Sequence, residues 1–130
     1  MDVLFQFKSC GTLIFDPGQG TKHFDPNWAL LLVDNEIPRY YGWILKKYGV
    51  PTYPNKLWNA HISVIKGEEI KNKYLWGQEF PSIEFWYTNC LRWHHKHAWI
   101  DVFSPEMSQI REKFGLLPKC FFHLTIGLVK

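Results

Sequence analysis

Two pentapeptides restrict the fold of this chain more than anything else in it: Ala60-His61-Ile62-Ser63-Val64 and Phe122-His123-Leu124-Thr125-Ile126. Each reads apolar, His, apolar, hydroxyl, apolar. That alternation has the period of a β-strand, in which residues two apart share a side. His61 and Ser63 therefore share one face of their strand, and His123 and Thr125 share one face of theirs. The apolar residues between them point the other way, where helices can cover them. A chain carrying both segments must build sheet with one covered side and one side that presents imidazoles and hydroxyls to a cleft.

The rest of the chain can support such a sheet. Its 130 residues, 46% of them apolar, make one domain with a real core. Seven Trp, six Tyr and ten Phe are many for this length. Rings of this kind mostly fill cores, but some stack on bases; Trp58, Tyr40, Tyr41, Tyr74, Trp93 and Trp99 are the candidates. A net charge of +3 suits a small anionic ligand and is too mild to predict binding to long duplex nucleic acid. Cys10, Cys90 and Cys120 are widely spaced and odd in number, as free thiols in a reducing compartment would be. No signal peptide is evident, and the longest apolar run, Trp28 to Val33, is too short to span a membrane. The expectation is a soluble, cytoplasmic, single-domain protein with no membrane partner.

Taken in order, Gly11 to Asp16 reads as a strand, with a possible earlier start at Val3 to Phe7. Residues 17–27 hold two Gly and two Pro and form a loop. Trp28 to Val33 is a strand buried on both faces. Asp34 or Asn35 caps a helix from about Glu36 to Tyr48, ended by Gly49. After a Pro-rich connection, Leu57 to Lys66 is the first motif strand. Gly67-Glu68-Glu69 opens a short helix to about Trp76, its acidic start favoured by the helix dipole. Ser82 to Thr88, Cys90 to His94 and Ala98 to Phe103 give two or three antiparallel strands with a turn near His95-Lys96. Ser104 and Pro105 start a helix that Gly115 closes, and Phe121 to Val129 is the second motif strand. Each half thus places a helix before its motif strand. This coarse two-fold echo predicts an α+β protein of two small antiparallel lobes facing each other across a central cleft, with helices outside.

Two histidines flanking a phosphodiester can do complete acid–base chemistry without a metal or other cofactor. One neutral imidazole takes a proton from the attacking hydroxyl or water, and the other, protonated, donates to the leaving oxygen. A free imidazole titrates at about 6.5, close to working pH, so histidine serves in both roles. The hydroxyls of Ser63 and Thr125 can hold the non-bridging oxygens, where charge builds.

At these residues the chain resembles the 2H phosphoesterase superfamily, whose paired His-x-Ser/Thr motifs lie about sixty residues apart here, each preceded by a helix. The stretches GTLIFDP, NAHISVIKGEE and FHLTIG are most similar to small phage-type members described as RNA-repair-like. The resemblance implies a two-lobed fold, with His61 and His123 catalytic and Ser63 and Thr125 binding phosphate. It also implies a basic contact five positions after each histidine. Lys66 fits after the first, although simple alternation puts it on the face opposite His61; Leu128 stands at the second place. The implied activity is hydrolysis of a cyclic di- or oligonucleotide signal, by which a virus silences nucleotide-based immunity. The alternatives are hydrolysis of RNA 2′,3′-cyclic phosphate ends or 2′–5′ joining, and, in another class, a sponge that holds a nucleotide without cutting it. A purely structural module leaves both motifs unexplained.

Other signals weigh less. His94, His95 and His97 cluster without an evident third converging ligand. Gly18-Gln19-Gly20-Thr21-Lys22 lacks the spacing of a phosphate loop. Tyr40, Trp58 and Tyr74 remain the substrate-stacking candidates beside the four motif residues.

Overall fold

The computed structural model describes residues 7–22, 26–50, 52–53 and 60–129. Among these residues, seven strands and two α-helices follow in the order β1 (Phe7–Phe15), β2 (Trp28–Leu32), α1 (Glu36–Lys47), β3 (Thr52–Tyr53), β4 (His61–Lys66), β5 (Ile83–His94), β6 (His97–Phe103), α2 (Pro105–Lys113) and β7 (Phe122–Val129). The strands lie in the order β3-β7-β4-β2-β1-β5-β6, every pairing antiparallel, and β6 pairs again with β7. Six strands thereby close into a barrel, and β3 adds two residues beside the far end of β7.

This overturns the expected two-lobed α+β architecture. Two helices of 12 and 9 residues accompany a structure that is mostly sheet. The halves do not form separate lobes, because each exposes an outer strand whose backbone needs a partner. β1 and β5 satisfy each other, with Ser9 opposite Phe85 and Gly11 opposite Ile83, and closure removes the unpaired edges that two small sheets would leave. At Gly11 a side chain has no room: a Cβ there would sit 2.3 Å from the Leu32 carbonyl oxygen on the neighbouring strand.

The apolar sides of the strands and both helices share one core. It joins Ala29 and Leu31 of β2, Ile62 and Val64 of β4, and Phe122, Leu124 and Ile126 of β7 to Leu45 of α1, Met107 and Ile110 of α2, and Phe114 at the C-cap of α2. Helix α1 lies on β7 and β3, and α2 lies on β5 and β4. Burial pushes the Tyr41 phenol up to about 12, so it stays protonated and donates to the Thr88 carbonyl at 3.3 Å. The start of α2 follows the sequence expectation. Ser104 Oγ accepts from the Met107 amide, donates to the Glu84 carbonyl, and is followed by Pro105. At α1 the work is divided. Asp34 Oδ1 accepts from the Glu36 amide, whereas Asn35 Oδ1 accepts from the amide of Ala60, the residue just before His61.

One local reading changes. The segment after Gly67 forms a single 3-10 turn, Lys73–Leu75, in place of a helix. Gly67 takes a positive φ of 70°, Glu68 is drawn to Arg111 of α2, and the Lys71 amide bonds the Phe114 carbonyl at the end of α2. Tertiary partners thus take the groups a helix would have used. Of the two or three strands expected between Ser82 and Phe103 there are two, the first long and irregular between Tyr87 and Leu91, and His95 turns the hairpin, as expected, with a φ of 54°.

Among the described residues, no helix is long and apolar enough to cross a membrane.

Candidate active site

Strands β4 and β7 meet at one register pair, Ile62 opposite Leu124. Both side chains are fully buried. Their neighbours therefore point away from the core, and antiparallel geometry sets His61 beside Thr125 and Ser63 beside His123. Directly opposed residues on such a face stand about 5 Å apart and diagonal ones about 7–8 Å. The two histidines occupy one diagonal and the two hydroxyls the other. All four line a single open pocket of about 280 Å³, together with Lys119, Phe121 and Phe122.

The likeness between the two motifs extends to their backbones. Along β4 the pairing with β2 runs Leu30 to Ser63 and then Ala29 to Ile65, so Val64 is an extra residue. Along β7 the pairing with β6 runs Trp99 to Thr125 and then Ala98 to Gly127, so Ile126 is an extra residue. Each motif is thus followed at once by a β-bulge, which reverses the alternation beyond it. Counted from each histidine, both strands show the same burial order, with the second, fourth and fifth residues buried and the sixth exposed. The first bulge brings Lys66 back to the face of His61, contrary to simple alternation. There its ammonium lies 4.4 Å from the centroid of the Trp28 ring. Leu128 takes the equivalent place on β7 and supplies no charge.

Buried partners hold the first wall. Trp28 donates its indole N–H to Ser63 Oγ at 3.0 Å and meets the His61 ring edge-on, centroids 5.8 Å apart. The indole has only a donor to offer, so the Ser63 hydroxyl keeps its proton for a ligand. Arg111 secures the bulge from beneath. One of its Nη atoms donates to the Val64 carbonyl at 2.9 Å, and the guanidinium grips Glu68 with two bonds of 2.7 Å. The same guanidinium holds the Glu68 carboxyl below its usual range, hydrogen bonding outweighing the opposing effect of burial.

The second wall is built differently. Asp101 of β6 is paired with His123, and Trp99 with Thr125. The Trp99 ring lies 5.1 Å from the His123 ring at 31°. Its N–H donates to Asp101 Oδ1 at 3.3 Å, and Asp101 Oδ2 meets Arg92 Nε at 3.0 Å. Lys119 reaches the pocket on the loop after α2. Ser108 fixes that loop by accepting from the Lys119 amide and donating to its carbonyl.

Of the residues singled out from sequence, His61, Ser63, His123 and Thr125 come together. Lys66 reaches the same face but not the pocket lining. Tyr40 on α1 and Tyr74 in the 3-10 turn are exposed elsewhere and do not line the pocket; Trp58 lies outside the described residues. Lys119, Trp28, Asp101 and Arg92 were not anticipated. Only the pairing of Trp28 with the first motif strand, or a lysine shortly before the second motif, could have signalled two of them. The pocket lining contains two imidazoles, two hydroxyls and an ammonium but no carboxylate, a donor set for an anion. Among the described residues, no three His, Cys, Asp or Glu side chains converge as metal ligands would. Compared with known proteins, the chain matches no protein-family model, no curated protein and no solved structure.

Proposed function

We propose that the pocket hydrolyses a phosphodiester of a cyclic di- or oligonucleotide by two-histidine acid–base catalysis. The observation that carries this reading is the cross-strand quartet. A phosphodiester has two ester oxygens and two non-bridging oxygens arranged about a local two-fold axis. The site repeats that symmetry about the Ile62–Leu124 pair, with imidazoles on one diagonal and hydroxyls on the other. The residues of each diagonal stand about 7–8 Å apart along the sheet, and side chains projecting from that one face converge on a shared phosphoryl group from opposite sides.

In the proposed step, one imidazole removes a proton from water as the water oxygen bonds to phosphorus. The opposite imidazolium gives its proton to the departing ester oxygen as that P–O bond breaks. Ser63, Thr125 and Lys119 stabilise the charge that gathers on the non-bridging oxygens, where preorganised donors have their largest effect. The motif likeness to 2H phosphoesterases supports the reading through these residues alone, since the architecture differs from the one that likeness implied.

A pocket of about 280 Å³ falls just under the usual range for whole small-molecule ligands. It suits one phosphate with an attached sugar, the other nucleotide lying over the rim. The test is a panel of cyclic dinucleotides, cyclic trinucleotides and 2′,3′-cyclic nucleotides, read by chromatography with and without EDTA. Turnover of a cyclic di- or trinucleotide that survives EDTA is the expected result. Turnover confined to 2′,3′-cyclic ends would replace the substrate, and recovery of every ligand unaltered would overturn catalysis.

A further inference from the structure

The two walls of the pocket depart from their own symmetry in the strands outside them. Outside β4 the pairing brings up Leu32, Leu30 and Trp28 of β2 against His61, Ser63 and Lys66. Outside β7 it brings up Asp101, Trp99 and His97 of β6 against His123, Thr125 and Leu128. The first set is apolar, and Trp28 is 2% exposed with its ring face under Lys66, so it offers a ligand no ring. The second set grades from the buried carboxylate Asp101 through the half-buried Trp99 to the exposed His97.

The next strand extends this second surface. Arg92 of β5 is paired with Trp99, and His94 with His97. Paired residues of adjacent strands project to the same side, and the ion pair from Arg92 to Asp101 bears this out. A strip of Trp99, Arg92, His97 and His94 thus continues outward from the His123–Thr125 wall. Within it the indole is held on two sides, its ring against His123 and its N–H on Asp101, which Arg92 holds in turn. A clamped, half-buried ring costs little entropy when a planar group stacks on it, and the Arg92 guanidinium and the His97 imidazole beside it offer N–H donors to a second phosphate.

We propose that this strip is a nucleoside subsite. Trp99 stacks a base attached to the scissile phosphate, and Arg92 with His97 contacts the following phosphate. The inference rests on the phosphodiesterase reading and narrows it to substrates with a nucleotide beyond the cleaved bond, which places the ligand over the β6 side and not over the β2 side.

The test compares cyclic di-AMP, which has that nucleotide, with methyl p-nitrophenyl phosphate, a phosphodiester that lacks it and whose one ring departs with the leaving oxygen. Affinity for cyclic di-AMP is measured by calorimetry and turnover of both by chromatography. Loss of one base–aromatic stack weakens binding by about five- to a hundredfold. Trp99→Leu and Arg92→Gln should each weaken binding of cyclic di-AMP within that range and lower kcat/KM for methyl p-nitrophenyl phosphate by a clearly smaller factor. Trp99→Phe, which keeps a stacking face, should restore most of the affinity and reports on folding as well. Equal losses on both probes would make Trp99 only a support for His123 and would overturn the subsite, as would no loss at all or a wild-type protein that does not bind cyclic di-AMP. Binding of cyclic di-AMP that depends on Trp99 and Arg92, without turnover of either probe, would uphold the subsite and refute catalysis.

Discussion

Replacing Arg111 with Met should cost this protein about 3–4 kcal/mol. The Arg111 side chain is 3% exposed and holds Glu68, whose side chain is 34% exposed. It also donates to the Leu117 carbonyl at 2.8 Å and to the Val64 carbonyl at 2.9 Å. Removing one member of a buried ion pair costs about 3–5 kcal/mol, since the other charge loses its partner. Water can reach Glu68, which lowers that figure, while the two deserted carbonyls raise it by part of their desolvation penalty. At this chain length each kcal/mol moves the melting temperature by roughly 3–5 °C, so a fall of about 9–20 °C is expected by thermal unfolding at pH 7. The contribution of the pair also has a pH signature. Arg111 lowers the Glu68 pKa in the folded state, so this stability is present above the unfolded carboxyl value and is lost as pH falls through the folded one. The gap between wild type and Arg111→Met should therefore narrow on acidification below about pH 4. The double variant Glu68→Gln/Arg111→Met should be milder than Arg111→Met alone, because it strands no charge. A melting temperature within about 3 °C of wild type, or a gap that widens in acid, would refute the reasoning.

Other consequences can be checked by similar means. Gly11→Ala should lower the urea midpoint through a loss of at least about 2 kcal/mol, because the new methyl group meets the Leu32 carbonyl and the pairing of β1 with β2 must shift. Ser63→Ala and Thr125→Ala should each reduce kcat by about ten- to a thousandfold while the fold, followed by circular dichroism, is retained. The pH–rate profile should be bell-shaped, since one imidazole must be neutral and the other charged; a profile that rises to a plateau would point to a single titrating group.

Much of the site could be read from the sequence because a strand's period is short and local. His61 with Ser63 and His123 with Thr125 needed only alternation, and the single pair Ile62–Leu124 then set them side by side. Lys66 could not be placed by the same rule. A bulge adds one residue without a compositional mark, and one residue is enough to reverse a face. The helices before each motif were legible from their caps and closing glycines, whereas the helix proposed after Gly67 lost to long-range partners, Arg111 and the end of α2. The closure of the barrel was hidden for a related reason. It depends on β1 finding β5, and on β6 and β4 finding opposite edges of β7, none of which is encoded within a short window. Trp28, Asp101 and Arg92 reach the site across strand pairings, so their roles appear only once the register is known.

The central claim is that His61 and His123 act together on one phosphodiester, and turnover by the two single variants and the double variant tests it most directly. With the substrate selected from the panel, His61→Ala and His123→Ala should each lower kcat by at least about a thousandfold. The double variant should be scarcely worse than either, because residues that act as a unit are not additive. Wild-type turnover in the double variant, or losses that multiply as if the two histidines acted independently, would contradict the account.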